Sequence, residues 1–393
     1  MIRKLIMILL AGAVCLLGTL PALAQEVRRS QQYDILEEYQ RITGEKIEKF
    51  SESPMLRTKV AAGELPSVEK RLPEEPIVIK PAEEIGQYGG TWRMVSVGRS
   101  NLEWHVGQFI GYEQLVRGAP DYSSVIPNIA KSWDVSDNGR VFTFYLRKGM
   151  KWSDGMPFTA DDIMFWYEDV ILNKELTPAF PDWLKVTGEP GKVEKIDDYT
   201  VRFVFAKPYG IFLDELARGI RETFQPKHYM KKFHPRYTSV EKLEKMTKEA
   251  GFDNWFELFG DKNDFWGNPE RPTLYAWRIL IPFGVGTRVE LERNPYYWKI
   301  DTDGNQLPYI DKVAVSIVTQ PEIAELKGVS GEIDLQATPV LDNISNYPMF
   351  MENRERGNYR IQAMPVGWND VAFYFNFNHK DPVLRLSLIH ISE

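Results

Sequence analysis

The sequence has 393 residues, 43% hydrophobic and 13% aromatic, with 48 basic against 55 acidic side chains and a net charge of −7. A chain of this length and apolar content can bury large cores and is expected to divide into domains. The acidic balance, with no dominant basic patch, argues against nucleic acid as a partner.

Met1–Ala24 starts with Arg3 and Lys4, runs apolar from Leu5 to Leu20, and reaches Ala22-Leu23-Ala24 before Gln25. That order predicts a secretory signal with an A-x-A cleavage site, so the mature protein is expected in the periplasm. The alternative, a membrane anchor, is disfavoured because the apolar run is short and stops at the small-residue site. The sole cysteine, Cys15, follows Val14 where lipid attachment wants a small residue, and cleavage removes it. Disulfides, cysteine-zinc sites and thiol catalysis go with it. Removing Arg3 and Lys4 from the 48 basic residues leaves 46 against 55 acidic ones.

Residues 25–85 read as a leader. Tyr33, Ile35, Leu36 and Tyr39 fall near one face of a helix-prone stretch. The Pro-, Glu- and Lys-rich run after it predicts an extended, surface-wrapping segment or a disordered linker. Thr91-Trp92-Arg93-Met94-Val95 then begins the first sheet. From Ile126 to Asp162 the pattern predicts a short helix, a strand bearing Trp133, and a tight turn at Asn138-Gly139. A strand with Phe142, Phe144 and Leu146 on one face follows, then a basic strand bounded by glycine, then a helix. Thr159 and Asp162 form a capping box for that helix, whose apolar stripe is Ile163, Trp166, Tyr167, Val170 and Ile171. Val193–Phe205 predicts a hairpin around Asp197-Asp198 with Val201, Phe203 and Phe205 on one face. Glu241–Glu257 reads as mostly helical with a solvated charged face. In Arg288–Trp298, Val289 and Leu291 alternate with Glu290 and Glu292, and Asn294-Pro295 ends the strand.

As an ordered set, the 126–162 stretch, RVELERNPYYW at 288–298 with the DTDGNQLPYIDKVAVSIV that follows, and Gly331-Glu332-Ile333-Asp334 resemble the family 5 solute-binding proteins of ABC transporters. The likeness spans roughly Gly86–Asn378. It implies an α/β, two-lobed periplasmic-binding-protein-like fold (type II, family 5 variant) with a discontinuous first lobe. The implied divisions are residues 86–299 as lobe I, with an inserted subdomain at about 110–185, and residues 300–385 as the start of lobe II. The octet 386–393 has no family counterpart and is expected to be a non-native tail, with lobe II incomplete. The apolar faces of Val313–Val318 and Val371–Phe377 are therefore expected to lack their covering helices.

The implied function is extracytoplasmic capture of oligopeptides, with oligosaccharides the alternative, and delivery to the permease subunits of an importer. The intact protein is expected to be a monomer and to need no cofactor. Ser96, Arg99, Asn101 and Trp104 follow the first strand, and Trp368, Asn369, Tyr374 and Asn376 flank the last recognisable one; these eight are the expected ligand-binding residues. Trp133, Trp152, Trp166 and Trp298 are expected in the core.

Competing chemistry finds little support. Asp301-Thr302-Asp303-Gly304-Asn305 lacks the sixth-position Gly and distal Glu of a calcium loop and reads as a polar turn. Asp161-Asp162 begins a helix and Asp197-Asp198 sits in a turn, so neither is an obvious acid/base pair. The five histidines show no H-E-x-x-H spacing, and neither a phosphate loop nor a G-x-S-x-G elbow occurs. An exported hydrolase, rich in carboxylates and aromatics, stays open as a reading of another class, as does a receptor-linked or chaperone-like role.

Overall fold

The computed structural model describes residues 31–121, 123–218, 222–335 and 344–361. The expected signal segment, the strand expected at 371–377 and the octet 386–393 lie outside them. Among the described residues no helix is long and apolar enough to cross a membrane.

The leader is more structured than its composition suggests. β1 (Gln31–Tyr33) pairs antiparallel with β2 (Ile77–Lys80), which pairs in parallel with the strand Lys299–Asp301. Between them lie α1 (Leu36–Thr43) and α2 (Pro54–Ala61). α2 starts where it does because the Ser53 hydroxyl accepts from the Leu56 N–H at 3.3 Å and Pro54 needs no intrahelical donor bond there. Tyr33 and Tyr39 pack edge to face at 5.1 Å in a small core shared with Val68, Leu72, Val78 and Ile300. Wholly buried Arg71 ties the leader down, donating to the Pro66 and Pro295 carbonyls and to the side chains of Glu52 and Gln306.

β3 (Gly89–Val97) opens the main sheet. A second, antiparallel sheet follows, built from β4 (Ala130–Ser136), β5 (Val141–Leu146), and two strands named below. Phe142, Phe144 and Leu146 are buried, as their alternation predicts, and the β4–β5 turn places Asp137, Asn138 and Gly139 at positive φ. Two local expectations fail. The segment before Trp133 is not a helix: Val125–Pro127 pairs as a strand with Val116–Gly118, which suits its β-branched residues. The basic stretch after β5 is not a strand either. Arg147 turns inward, fully buried, and donates to the carbonyls of Asn128, Asp34 and Glu75, so its segment serves as a linchpin between elements.

α3 (Ala160–Met164) begins on the expected capping box: the Thr159 side chain accepts from Asp161 N–H, and Asp162 accepts from the Thr159 N–H at 3.0 Å. The helix then widens to i→i+5 hydrogen bonding over Phe165–Ile171, with Leu172 N–H bonding the Tyr167 carbonyl at 3.0 Å. Phe165, Trp166 and Tyr167 are all buried as a result, although they are consecutive. Phe165 enters a separate core with Tyr229, Met230, Phe233, Leu243, Leu258 and Phe259, whereas Trp166 and Tyr167 face the main core.

Asp162 also accepts from the Lys227 N–H at 3.0 Å. Burial outweighs these bonds and raises its carboxyl to about 6. A pKa raised by folding contributes stability that is complete below the unfolded value and is lost as pH rises through about 6. Urea titrations should therefore show Asp162→Asn less disadvantaged relative to the parent at pH 7 than at pH 4, by about 3 kcal/mol at most. An unchanged difference across that interval would contradict the assignment.

β6 (Lys192–Asp197) and β7 (Thr200–Val204) make the predicted hairpin, and β7 pairs with β5. Lys195 bonds Asp161 and Asp198, while Asp197 accepts from the Tyr199 N–H, so both acidic pairs are structural. α4 (Val240–Glu249) and α5 (Trp255–Asn263) follow. The main sheet then adds β8 (Trp277–Ile281) and β9 (Arg288–Arg293), while the strand Lys299–Asp301 is β10 in the leader sheet; β11 (Ile310–Val318) completes the order β8-β9-β11-β3. β9 pairs antiparallel with β8 on one side and β11 on the other, and β11 runs parallel to β3 with Val313 beside Trp92 and Val315 beside Met94.

Sheet continuity thus crosses residue 300, and Val313 and Val315 are fully buried in the main core instead of lacking cover. The reason is that β11 sits inside its sheet, between β9 and β3, and α6 (Pro321–Val329) packs on both β3 and β11. α7 (Tyr347–Gly357) packs on α6. Trp152, Trp166 and Trp298 are core residues as expected, and Trp133 packs against the core half-buried.

Candidate ligand-binding face

β3 and β11 run in the same direction, so their carboxyl ends lie together, with Val97 opposite Val318. In open α/β sheets that end is where ligands are taken up. β11 leads from there towards α6, and β3 leads into a helical segment at 98–110 that carries the sequence-predicted residues.

The segment is built tightly. Gly98 takes φ +66°, open to glycine without strain. Buried Ser96 donates its hydroxyl to the Gly98 carbonyl at 2.9 Å, and the Asn101 side-chain oxygen accepts from the Val97 N–H at 3.4 Å. Ser96 and Asn101 are thus engaged in shaping the turn. The helix widens over Leu102–Val106, closing with Gly107 N–H on the Leu102 carbonyl. Leu102 and Val106 point into the core, whereas Trp104 is left 56% exposed. An indole left in water on an otherwise well-packed turn is a candidate contact surface. Phe109, also exposed, meets Trp92 edge-on at 6.4 Å, and Trp92 meets Trp277 at 5.9 Å.

Arg99 donates to Glu103 and to Asp264, both at 2.6 Å, and lies over the Phe283 ring at 5.2 Å. Partial burial works against its charge, yet the hydrogen bonds it donates to both carboxylates prevail and raise its pKa. Asp264 and Phe283 escaped the sequence reading, since nothing local links them to Arg99, which lies 165 positions from Asp264 and further from Phe283. At the other strand edge Asp334, from the Gly-Glu-Ile-Asp motif, accepts from the Arg93 N–H at 2.7 Å and from its guanidinium, whose hydrogen bond holds the carboxyl below its usual range. Trp368, Asn369, Tyr374 and Asn376 lie outside the described residues, so the structure brings together Ser96, Arg99, Asn101 and Trp104 alone of the expected eight.

Other candidate chemistry is spent on structure. The Asp301 carboxylate is buried and accepts from the Asp303 and Asn305 N–H groups, the Asn305 amide and the Tyr309 hydroxyl, which is a polar turn. Among the described residues no group of three or more His, Cys, Asp or Glu could hold a metal ion.

The chain resembles proteins of one kind. A solved structure of an oligopeptide-binding protein, OppA, superposes with a TM-score of 0.79 at 46% identity, covering 84% of this chain and 51% of that one. The periplasmic binding protein MelB of Agrobacterium fabrum, solved with stachyose, gives 0.64 at 30% identity, covering 78% and 46%. The periplasmic alpha-galactoside-binding protein of Rhizobium meliloti is 34% identical over 318 residues, which is 76% of this chain and 42% of that protein. The chain therefore spans about half the length of the relatives it matches, or somewhat less. These relatives are binding proteins, not enzymes, and the described residues build the α/β architecture of their two-lobed fold. The model of the bacterial extracellular solute-binding proteins, family 5, matches residues 124–387, and the chain belongs to that family.

Proposed function

We propose that this protein is the extracytoplasmic solute-binding component of an ABC importer, capturing oligopeptides between two lobes and presenting them to the membrane permease. The observation that carries this reading is the 46% identity and common fold with the oligopeptide-binding OppA. The signal-like start at Met1–Ala24 and the periplasmic relatives support a periplasmic location. In this reading lobe closure draws its free energy from the ligand's greater affinity for the closed state. An extended peptide would add to the strand ends by main-chain hydrogen bonds, with side chains in roomy pockets. Trp104 supplies an aromatic wall, and Trp368, Asn369, Tyr374 and Asn376 are proposed as further ligand contacts. The mature protein acts as a monomer and uses no cofactor.

A second reading, oligosaccharide capture, is favoured by the alpha-galactoside-binding relative and the stachyose complex, and an exposed indole also suits a sugar face. Calorimetric titration with a peptide library and with alpha-galactoside oligosaccharides separates the two. Sugar binding without peptide binding selects the second reading, and turnover of either probe removes both in favour of a hydrolase. Trp104→Ala should weaken ligand binding about 10-fold. Its thermal midpoint should barely move, since the side chain is 56% exposed. Lost stability with unaltered affinity would make Trp104 a packing residue.

A further inference from the structure

We propose that Arg99 is a positioning residue: its clamp on Glu103 and Asp264 fixes the helical turn that presents Trp104, and it does not itself meet the ligand. This rests on the reading of Trp104 as a solute contact.

The guanidinium is already held by protein through two of its three nitrogens. Its Nε faces Glu103 on the same turn, its Nη2 faces Asp264 on a distant loop, and its plane lies against Phe283. Two carboxylates already offset its single charge, which weakens its pull on a ligand carboxylate. The anchoring side is itself held. Asp264 Oδ1 also accepts from the Trp266 N–H at 3.0 Å, and the Phe283 N–H bonds the Trp266 carbonyl at 2.8 Å. Gly267 permits this approach, because a Cβ there would stand 2.3 Å from the Asp264 carboxylate. Loop, aromatic ring and helical turn thus form one braced unit, and the exposed indole of Trp104 follows directly on Glu103. Bracing of this kind lowers the ordering cost of binding without adding a contact.

The test is a cycle of variants titrated calorimetrically with tetra-alanine, and with stachyose for the second reading. Arg99→Gln and Asp264→Asn should each weaken binding by about 3- to 10-fold, no more than loss of the indole itself, and the double variant should lose no more than either single one. Arg99→Lys, which can still meet one carboxylate, should fall between. In a Trp104→Ala background Arg99→Gln should add nothing, because the residue acts through the indole. Multiplying factors in that background would mean that Arg99 touches the ligand, and wild-type affinity of Arg99→Gln would mean that the clamp is idle; either overturns the proposal. If Arg99→Gln fails to fold, Glu103→Gln on the exposed side of the clamp repeats the cycle with the same expectations. Unchanged affinity in Trp104→Ala alone removes the binding face, and an absence of binding to both probes removes solute capture itself, each taking the inference with it.

Discussion

Lys299→Met is expected to destabilise the protein by about 3–5 kcal/mol, read as a lowered urea midpoint with an unchanged slope. Lys299 and Glu113 are both buried, 186 residues apart in sequence, with the ammonium 2.8 and 2.9 Å from the two carboxylate oxygens. Tyr297 donates to the same carboxylate at 2.6 Å and Asn128 at 3.0 Å, and the Lys299 ammonium lies 4.7 Å from the centre of the Trp298 ring. Burial, with Arg117 and Arg147 nearby, outweighs the attraction of Glu113 and lowers the ammonium pKa to about 8. A pKa depressed by folding contributes stability only above the unfolded value and loses it as pH falls through about 8. At pH 7 the charged pair is therefore held against a desolvation cost, and removing one partner leaves the other charge buried and uncompensated. Glu113→Gln together with Lys299→Met should recover most of the loss, since a neutral amide oxygen can still accept from Tyr297 and Asn128. A single variant as stable as the parent would show that the pair is not buried as described.

The same pair marks the boundary of what could be read from sequence. Elements fixed by neighbours were legible: the Phe142-Phe144-Leu146 face, the Thr159–Asp162 capping box, the hairpin around Asp197-Asp198, and the strand ended by Asn294-Pro295 all form where local chemistry puts them. Side chains whose partners are remote in sequence were misread or missed. Arg71, Arg147 and Arg293 are among the largest fully buried side chains, yet in sequence each looks like an ordinary surface cation. They are buried because carbonyls from other segments converge on each guanidinium, joined by the Glu52 carboxylate at Arg71 and the Asp311 carboxylate at Arg293, and no spacing rule announces that convergence. The candidate face divides in the same way. Trp104 could be picked out as an indole at a strand-to-loop junction, whereas two of the partners of Arg99, Asp264 and Phe283, come from beyond residue 260. The widened helical turn at Phe165–Ile171 was invisible too, because its apolar stripe fits an ordinary helix nearly as well.

Arg71→Met should have an effect of the same order, about 3–5 kcal/mol, and should also loosen the leader. Arg71 is completely buried, its partner Glu52 nearly so, and their contact joins the start of α2 to the short helical turn Val68–Arg71. The remaining donors hold the Pro66 carbonyl at 3.0 Å, the Gln306 side chain at 2.8 Å and the Pro295 carbonyl, so one guanidinium binds the leader to the loop between β9 and β11. A methionine could fill much of the same volume but would leave Glu52 buried without its counter-ion and the carbonyls short of a donor. Some attachment would survive, because β2 still pairs with β10 and Ser51 still bonds Asn305. The expected signature is therefore local opening ahead of global unfolding: faster hydrogen exchange and earlier proteolytic cleavage across residues 51–80 than in β4, β5 and β7. Glu52→Gln together with Arg71→Met should restore part of the stability by removing the orphaned charge. Protection that falls evenly across both regions would place Arg71 in the common core instead of at the clasp of the leader, and protection that does not fall at all would show that the clasp carries no strength.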